Sequence, residues 1–286
     1  MPLLLSVGHV VWDRVDGKDV LGGSVSYAAL TARKLGWDAA VLTAASADFD
    51  GERDLPGIAV HAGASKHTTR FVNRYDAGGL RQQYLLSRAD DVDVTKVPQA
   101  LRAPDALLLG SVAGEIPRHA ARMFEAGAVG ALAQGWLRHF AADGAVSARP
   151  WPDPAADLFG VHVLFLSVHD VDGDVRRARD MLELVPIVAL TRGWEGMELL
   201  TRDAVHSVPT LPRPEVDPTG AGDVFAAGFM VRYQETGDPL DAAAFASCAA
   251  SCVVEGVGTT TLGDRAEVEK RLRLREKLIE EGEWEE

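Results

Sequence analysis

The sequence predicts an α/β domain: a mostly parallel central sheet flanked by helices, with a small extra β element. Three observations carry this expectation. Short, wholly apolar runs at 3–7, 106–109, 161–166 and 187–190 read as strands buried on both faces. Helical stretches at 27–35 and 240–254 alternate with such runs. Gly220-Ala221-Gly222-Asp223 runs straight into the apolar helix beginning Val224-Phe225-Ala226, a turn-to-helix junction of the kind that seats anions.

At 286 residues and 47% hydrophobic content, the chain has the size and core of one large domain. No apolar run is long enough to cross a bilayer. The opening Met1-Pro2-Leu3-Leu4-Leu5 lacks a basic lead and soon meets His9 and Asp13, so it reads as a first strand, not a signal peptide. A cytoplasmic protein is expected. The net charge of −13 argues against a nucleic-acid surface, although a local anion seat can still take a nucleotide. Cys248 and Cys252 lie four apart on one helix face with no His or Cys partner nearby, and read as buried reduced thiols.

Taken in order, residues 3–7 form the first strand, and Asp13 falls just past its C-terminal end, the edge where open α/β sheets bind ligands. Gly22-Gly23 opens a helix over 27–35, closed by Gly36. Residues 39–44 are a second strand. Between 67 and 86, two β-prone runs flank Asp76-Ala77-Gly78-Gly79 and predict a hairpin. Glu115 follows the strand at 106–109, placed either to reach a ligand or to sit in a solvated loop. The strand at 129–133 leads to Gln134 and Arg138, and the strand at 161–166 to Ser167 and Asp170. The strand at 187–190 enters Thr191-Arg192-Gly193-Trp194-Glu195-Gly196, and 199–200 with 205–208 read as a hairpin. The acid- and base-rich segment 264–286 reads as a solvated terminal helix with a frayed end. GAGD alone is equally a glycine turn with an N-capping aspartate.

The longer string Asp217-Pro218-Thr219-Gly220-Ala221-Gly222-Asp223-Val224-Phe225 resembles the C-terminal signature of the PfkB, or ribokinase-like, family of carbohydrate kinases. The resemblance extends from residue 1 to about residue 261 and implies a three-layer ribokinase-like sandwich in one domain over 1–286. It implies that Asp223 is the catalytic base and that Gly220, Ala221 and Gly222 form an anion hole for the transferred phosphate. Asp13, Gly22 and Gly23 match the substrate-contacting positions, with Glu115, Gln134 and Arg138 as further substrate candidates. Segments 13–21 and 66–88 match the β-lid. Thr191, Gly193, Gly196, Gly220, Gly222 and Gly258 match the ATP site. Asp170 would reach Mg²⁺ through water, and Asp217 and Thr219 match a K⁺ loop.

The departures are specific. Tyr27 stands where the family has an Asn, Leu132 and Gln134 replace an Asp-x-Asn pair, and Ser167 and Asp170 replace Asn-x-x-Glu. The first two kinds of change look most similar to the inositol-kinase-like branch. The sequence thus implies an ATP-dependent kinase for a hydroxyl of a small sugar or polyol, monomeric or homodimeric. The rivals are a nucleoside kinase, or a non-catalytic nucleotide or sugar sensor favoured by the altered 134 and 167–170 positions. A dinucleotide oxidoreductase is disfavoured, since no GxGxxG follows the first strand.

Overall fold

The computed structural model describes residues 1–75 and 81–281. The expected turn Asp76-Ala77-Gly78-Gly79 and the last five residues lie outside them.

The chain enters through β1 (Leu3–Val7), then folds β2 (Val11–Val15) and β3 (Lys18–Gly22) before α1 (Ser24–Lys34) and β4 (Asp38–Ala45). A short α2 (Gly51–Asp54) leads to β5 (Ala59–Ala64), β6 (Thr69–Tyr75), β7 (Arg81–Ser87), β8 (Ala106–Gly110) and β9 (Ala128–Leu132). Next come β10 (Arg138–Phe140), β11 (Val146–Ala148), α3 (Pro154–Asp157), β12 (Val163–Ser167) and α4 (Val175–Asp180). The chain closes with β13 (Ile187–Thr191), β14 (Met197–Thr201), β15 (Val205–Val208), α5 (Ala221–Thr236), α6 (Pro239–Val253) and α7 (Arg265–Glu280).

Nine strands form the central sheet in the order β15-β14-β13-β12-β9-β8-β1-β4-β5. The pairs from β5 through β13 are parallel, and β14 and β15 add an antiparallel edge. From β1 the chain builds outward first towards β4 and β5, later towards β8 and beyond. The strand order therefore reverses between β1 and β8, which leaves a crevice at their C-terminal ends. One core layer packs α1, α5 and α6 on one face of the sheet, with Phe229 and Phe245 fully buried; each such side chain contributes roughly 1.5–3 kcal/mol. The other face is covered largely by short turns of helix and loops around Trp136, Leu158 and Leu164.

A second, four-stranded sheet, β3-β2-β6-β7, stands over that crevice. It contains both strands of the expected hairpin, with β6 and β7 paired antiparallel and a register shift at Arg70/Phe71. Asp13 differs from expectation: it lies within β2, opposite Val20, not in a loop after β1. The terminal helix differs too. α7 lays Val268, Arg271, Leu272 and Arg275 against the protein, all buried. Arg271 reaches the Ser251 carbonyl at 2.8 Å and the Glu255 carboxylate at 3.0 Å. The composition hid this stripe because half of its members are charged, with aliphatic stems that cover apolar surface. Cys248 and Cys252 are buried thiols in α6, as expected.

Candidate active site

α5 begins at Gly220, whose backbone is left-handed at φ 83°. An L side chain there would be strained and would also run into the Tyr27 ring, which packs directly on this turn. The helix that follows puts Asp223 in its first turn, half-buried at the crevice. The Ala221 amide donates to the Pro218 carbonyl at 3.2 Å, so it is occupied by the turn itself. Among the described residues, the amides of Gly222 and Asp223 have no acceptor, as expected of first-turn donors. Of the three residues expected to form an anion hole, Ala221 thus has its amide occupied, while those of Gly220 and Gly222 have no acceptor among the described residues. A Cβ at Gly222 would meet nothing within 4 Å. Protein packing does not demand glycine there.

Burial raises the Asp223 carboxyl to about 6; a hydrogen bond from Ser24 and the charge of Arg138 pull it down, and Asp13 pushes it up. A carboxyl in this range can accept a proton near neutral pH. Asp13 approaches from β2, and its carboxylate fills the place where a Cβ of Gly22 would be. At Gly23, the N-cap of α1, an added Cβ would stand 2.7 Å from the His9 carbonyl oxygen. The Gly-Gly pair thus lets the small sheet close tightly on the α1 entrance. Arg138, at the start of β10, lies over the Phe71 ring of β6 at 5.5 Å and donates to the Val112 carbonyl at 3.1 Å. It is held by the small sheet and the crevice floor together.

Tyr27 is 3% exposed. Burial, then the charges of Asp223, Asp13 and Asp217, hold its phenol far above the ordinary value. It therefore stays a hydroxyl donor amid three carboxylates. A Cβ at Gly258 would lie 4.0 Å from that hydroxyl, which brings the loop after α6 to the same mouth. The loop before α5 meets it through the Val216 amide and the Val254 carbonyl at 2.7 Å.

Glu115 requires correction. It is fully buried, and its carboxylate accepts from the amides of His9, Val112 and Ala113 and from the Ser111 hydroxyl at 2.7–3.1 Å. Burial pushes this carboxyl up, but His9 and the amides outweigh that and hold it below the ordinary value. These contacts clamp the loop after β8 to the chain just past β1. Glu115→Gln replaces an acceptor oxygen with a donor facing amides, and should cost roughly 3 kcal/mol of stability. Urea denaturation would read that loss.

The other expected positions are spread along the strand ends. Thr191 closes β13 with its hydroxyl on the Leu166 carbonyl at 3.2 Å, and Gly193 and Gly196 shape the turn into β14. Thr219 donates its amide to Asp217 at 2.9 Å, inside the loop before α5. Asp170 accepts from the Ser167 amide and hydroxyl at 2.7 and 2.8 Å in a capping box. It lines a cavity together with Gln134 and Arg138. Among the described residues no group of three His, Cys, Asp or Glu converges to hold a metal.

Ser24 was not legible as a site residue. Its only signal is its place directly after Gly22-Gly23, where the first turn of α1 meets the crevice.

Residues 155–265 match the pfkB family of carbohydrate kinases. That stretch of the chain, which includes the Asp217–Phe225 signature, is similar to the family. A nucleoside kinase of Methanothermobacter thermautotrophicus is 38% identical over 117 residues, 38% of this chain and 37% of that one. The bifunctional protein HldE of Pelobacter propionicus is 32% identical over 100 residues, 34% of this chain and 20% of that one. The matched stretches thus span well under two thirds of those relatives. The whole fold superposes on a pyrophosphate-dependent kinase in the ribokinase family, with TM-score 0.76 and 23% identity over 93% of this chain and 99% of that one. It also superposes on the ribokinase of Thermotoga maritima, with TM-score 0.71 and 22% identity over 96% and 100% of the two chains. At these identities the superpositions establish the ribokinase fold. Among the described residues no helix is long and apolar enough to cross a membrane.

Proposed function

We propose that this chain is a PfkB-type kinase that transfers a phosphoryl group from ATP to a hydroxyl of a small sugar, cyclitol or nucleoside. The observation that carries this reading is the Asp223 carboxyl, raised to about 6 by burial, beside the unpartnered amides of Gly222 and Asp223 at one helix mouth. An acid–base group and an anion seat are the two parts that phosphoryl transfer asks of a protein.

In this mechanism Asp13 and the Gly22-Gly23 turn hold the acceptor hydroxyl, and Asp223 takes its proton as the oxygen attacks the terminal phosphate. The amides of Gly222 and Asp223 stabilise charge on the group in transit. Arg138 draws the acceptor towards Asp223 and favours the ionised base. The Tyr27 hydroxyl, kept protonated, donates across the mouth. The small sheet acts as a lid that excludes water and so limits wasteful hydrolysis. Mg²⁺, with Asp170 reached through water, would neutralise the donor's phosphate charge. Asp217 and Thr219 remain the proposed K⁺ loop.

The adenine would rest on the loops meeting at the α5 entrance, where Val216 and Val257 are 61% and 55% exposed. Exposed apolar residues on converging loops suit a purine face. A second donor is favoured by one finding, the similarity of this fold to a pyrophosphate-dependent kinase bound to a pyrophosphate analog and myo-inositol. Incubating the protein with ATP or with pyrophosphate across pentoses, hexoses, inositols and nucleosides separates the two. ADP release dependent on an acceptor is expected; no acceptor-dependent turnover with either donor would leave a binding protein in place of an enzyme.

The Arg138 charge has a pH signature. The acid limb of kcat/KM for the wild-type protein should fall near pH 6, because only the ionised base accepts the proton. Arg138→Met removes a charge that favours ionisation, so that limb should move to higher pH. An unmoved limb would place Arg138 outside the field of the base.

A further inference from the structure

A cavity of about 780 Å³ opens on the far side of Arg138 from Asp223, against the sheet face away from α1 and α5. Gly220, Gly222 and Asp223 do not line it, and it shares only Gln134, Arg138 and Asp170 with the site described above. Its floor is Leu166, Val171 and Met181; Gln134 and Arg138 form the edge towards the crevice. Gln82 and Gln83 of β7, together with the β10–β11 hairpin, cover it. The cover is continuous with the small sheet. The Leu85 amide donates to the Gly144 carbonyl at 2.8 Å, and the Gln82 side chain to the Val146 carbonyl at 2.7 Å.

Trp151 lines this space and is fixed on two sides. Trp136 stacks on it with ring centroids 5.3 Å apart and planes 16° apart, without itself lining the cavity. Its indole N–H donates to Asp157 at 2.8 Å. A ring held this way is a pre-organised platform for another ring. Much of the charge in the walls is compensated internally: Arg177 pairs with Asp172 at 2.7 Å, and Asp170 is capped by Ser167. The glutamine side chains offer neutral donors and acceptors. Arg149, which donates to the Trp136 carbonyl at 3.0 Å, His169 and Asp180 also line the space, so the walls mix both signs of charge with neutral amides and suit a ring with a polar edge.

Volume and position say what this ring belongs to. A single polyol at Asp13 and Asp223 would leave the cavity empty, whereas about 300–1,000 Å³ is the usual size of a pocket for a drug-sized ligand. The cover comes from the small sheet, the β10–β11 hairpin and Arg138, on the acceptor side, and the opposite wall from the segment after β12 that carries Asp170. The loops carrying Val216, Val257 and Gly258, assigned to the donor, contribute nothing to it.

Resting on the kinase reading and naming its substrate class, we infer that the acceptor has two rings. One ring presents its hydroxyl to Asp223, and the second, polar-edged, passes Arg138 and stacks on Trp151. A nucleobase and the second sugar of a glycoside share this chemistry.

The test compares single-ring acceptors (ribose, glucose, myo-inositol) with nucleosides and with disaccharides, in turnover and in calorimetric binding without donor. At least one two-ring class should exceed every single-ring acceptor in kcat/KM by about tenfold or more, and which arm wins identifies the ring. Trp151→Ala removes the platform, and Ala148→Trp fills the cavity from an exposed position on β11. Each should lower the two-ring to single-ring ratio about tenfold, through KM. A single-ring acceptor that equals every two-ring one, or a ratio unmoved in both variants, overturns the inference and leaves the kinase reading standing. Should no acceptor turn over, the kinase reading fails on its own. Two-ring binding that is lost in Ala148→Trp would then still support the cavity, and its absence in the wild-type protein would overturn it.

Discussion

Asp223→Asn is expected to lower turnover by about 10²–10⁴-fold while the fold and ATP binding persist. Asparagine keeps the size of the side chain and its place in the first turn of α5, but it cannot accept the acceptor's proton. The same variant should be more stable than the parent at pH 8. The folded carboxyl sits near 6, above its ordinary 3.8, so the folded state favours the protonated form. The resulting stabilisation is complete below about pH 4 and is lost as pH rises through 6, leaving an ionised, half-buried group that opposes folding at pH 8. The neutral amide escapes that cost, so the gain in Tm should be large at pH 8 and small at pH 4. Initial rates, ATP calorimetry and thermal melts at the two pH values check all three statements. Near-normal turnover would remove Asp223 from the base role, and equal melting at pH 8 would mean that its charge is not desolvated.

The second large effect concerns two glycines, two residues apart, with opposite expected signatures. Gly220→Ala places a methyl in a left-handed conformation that costs about 1–2 kcal/mol, and drives it into the Tyr27 ring. Both Tm and turnover should fall, because the helix mouth itself is displaced. Gly222→Ala meets no protein atom within 4 Å. Within a helix, alanine is favoured over glycine by roughly 0.5–1 kcal/mol, so Tm should hold or rise. If phosphate oxygens occupy the space before those amides, its turnover should nonetheless fall by about 10²–10³-fold. Full activity in Gly222→Ala would remove that amide from the anion seat. Loss of stability in Gly222→Ala would show that packing, not a ligand, requires the glycine.

Parts of the site were legible because they depend on local rules. A glycine turn running into an apolar helix fixes where first-turn amides and an early aspartate point, whatever surrounds them. Gly22-Gly23 before α1 and the two β-prone runs of the small sheet were readable for similar reasons, from turn chemistry and alternation. Glu115 was not. A carboxylate at a strand end faces ligand or protein according to which amides surround it, and here two amides of its own loop and the distant His9 amide meet it. The β10–β11 hairpin escaped notice because its strands are only three residues each, below the length at which alternation carries information. The docked face of α7 was masked by Arg271 and Arg275, which look like solvent residues until their partners are seen, on α6 and its following loop for Arg271 and at Pro209 after β15 for Arg275.

The sequence by itself determined the layered α/β class, the helix mouth and the identity of the acid beside it. Short-range geometry settles all three: a buried strand needs an apolar run, a tight turn needs glycine, and three residues place a side chain on a helix. Only the tertiary structure decided that Ser24, Tyr27, Asp13 and Arg138 surround that acid, and that burial brings it near 6. Those groups come from α1, β2 and β10, which precede Asp223 by 85 to 210 residues of chain. Desolvation and Coulomb terms depend on distance through space, which sheet order sets and local sequence does not record.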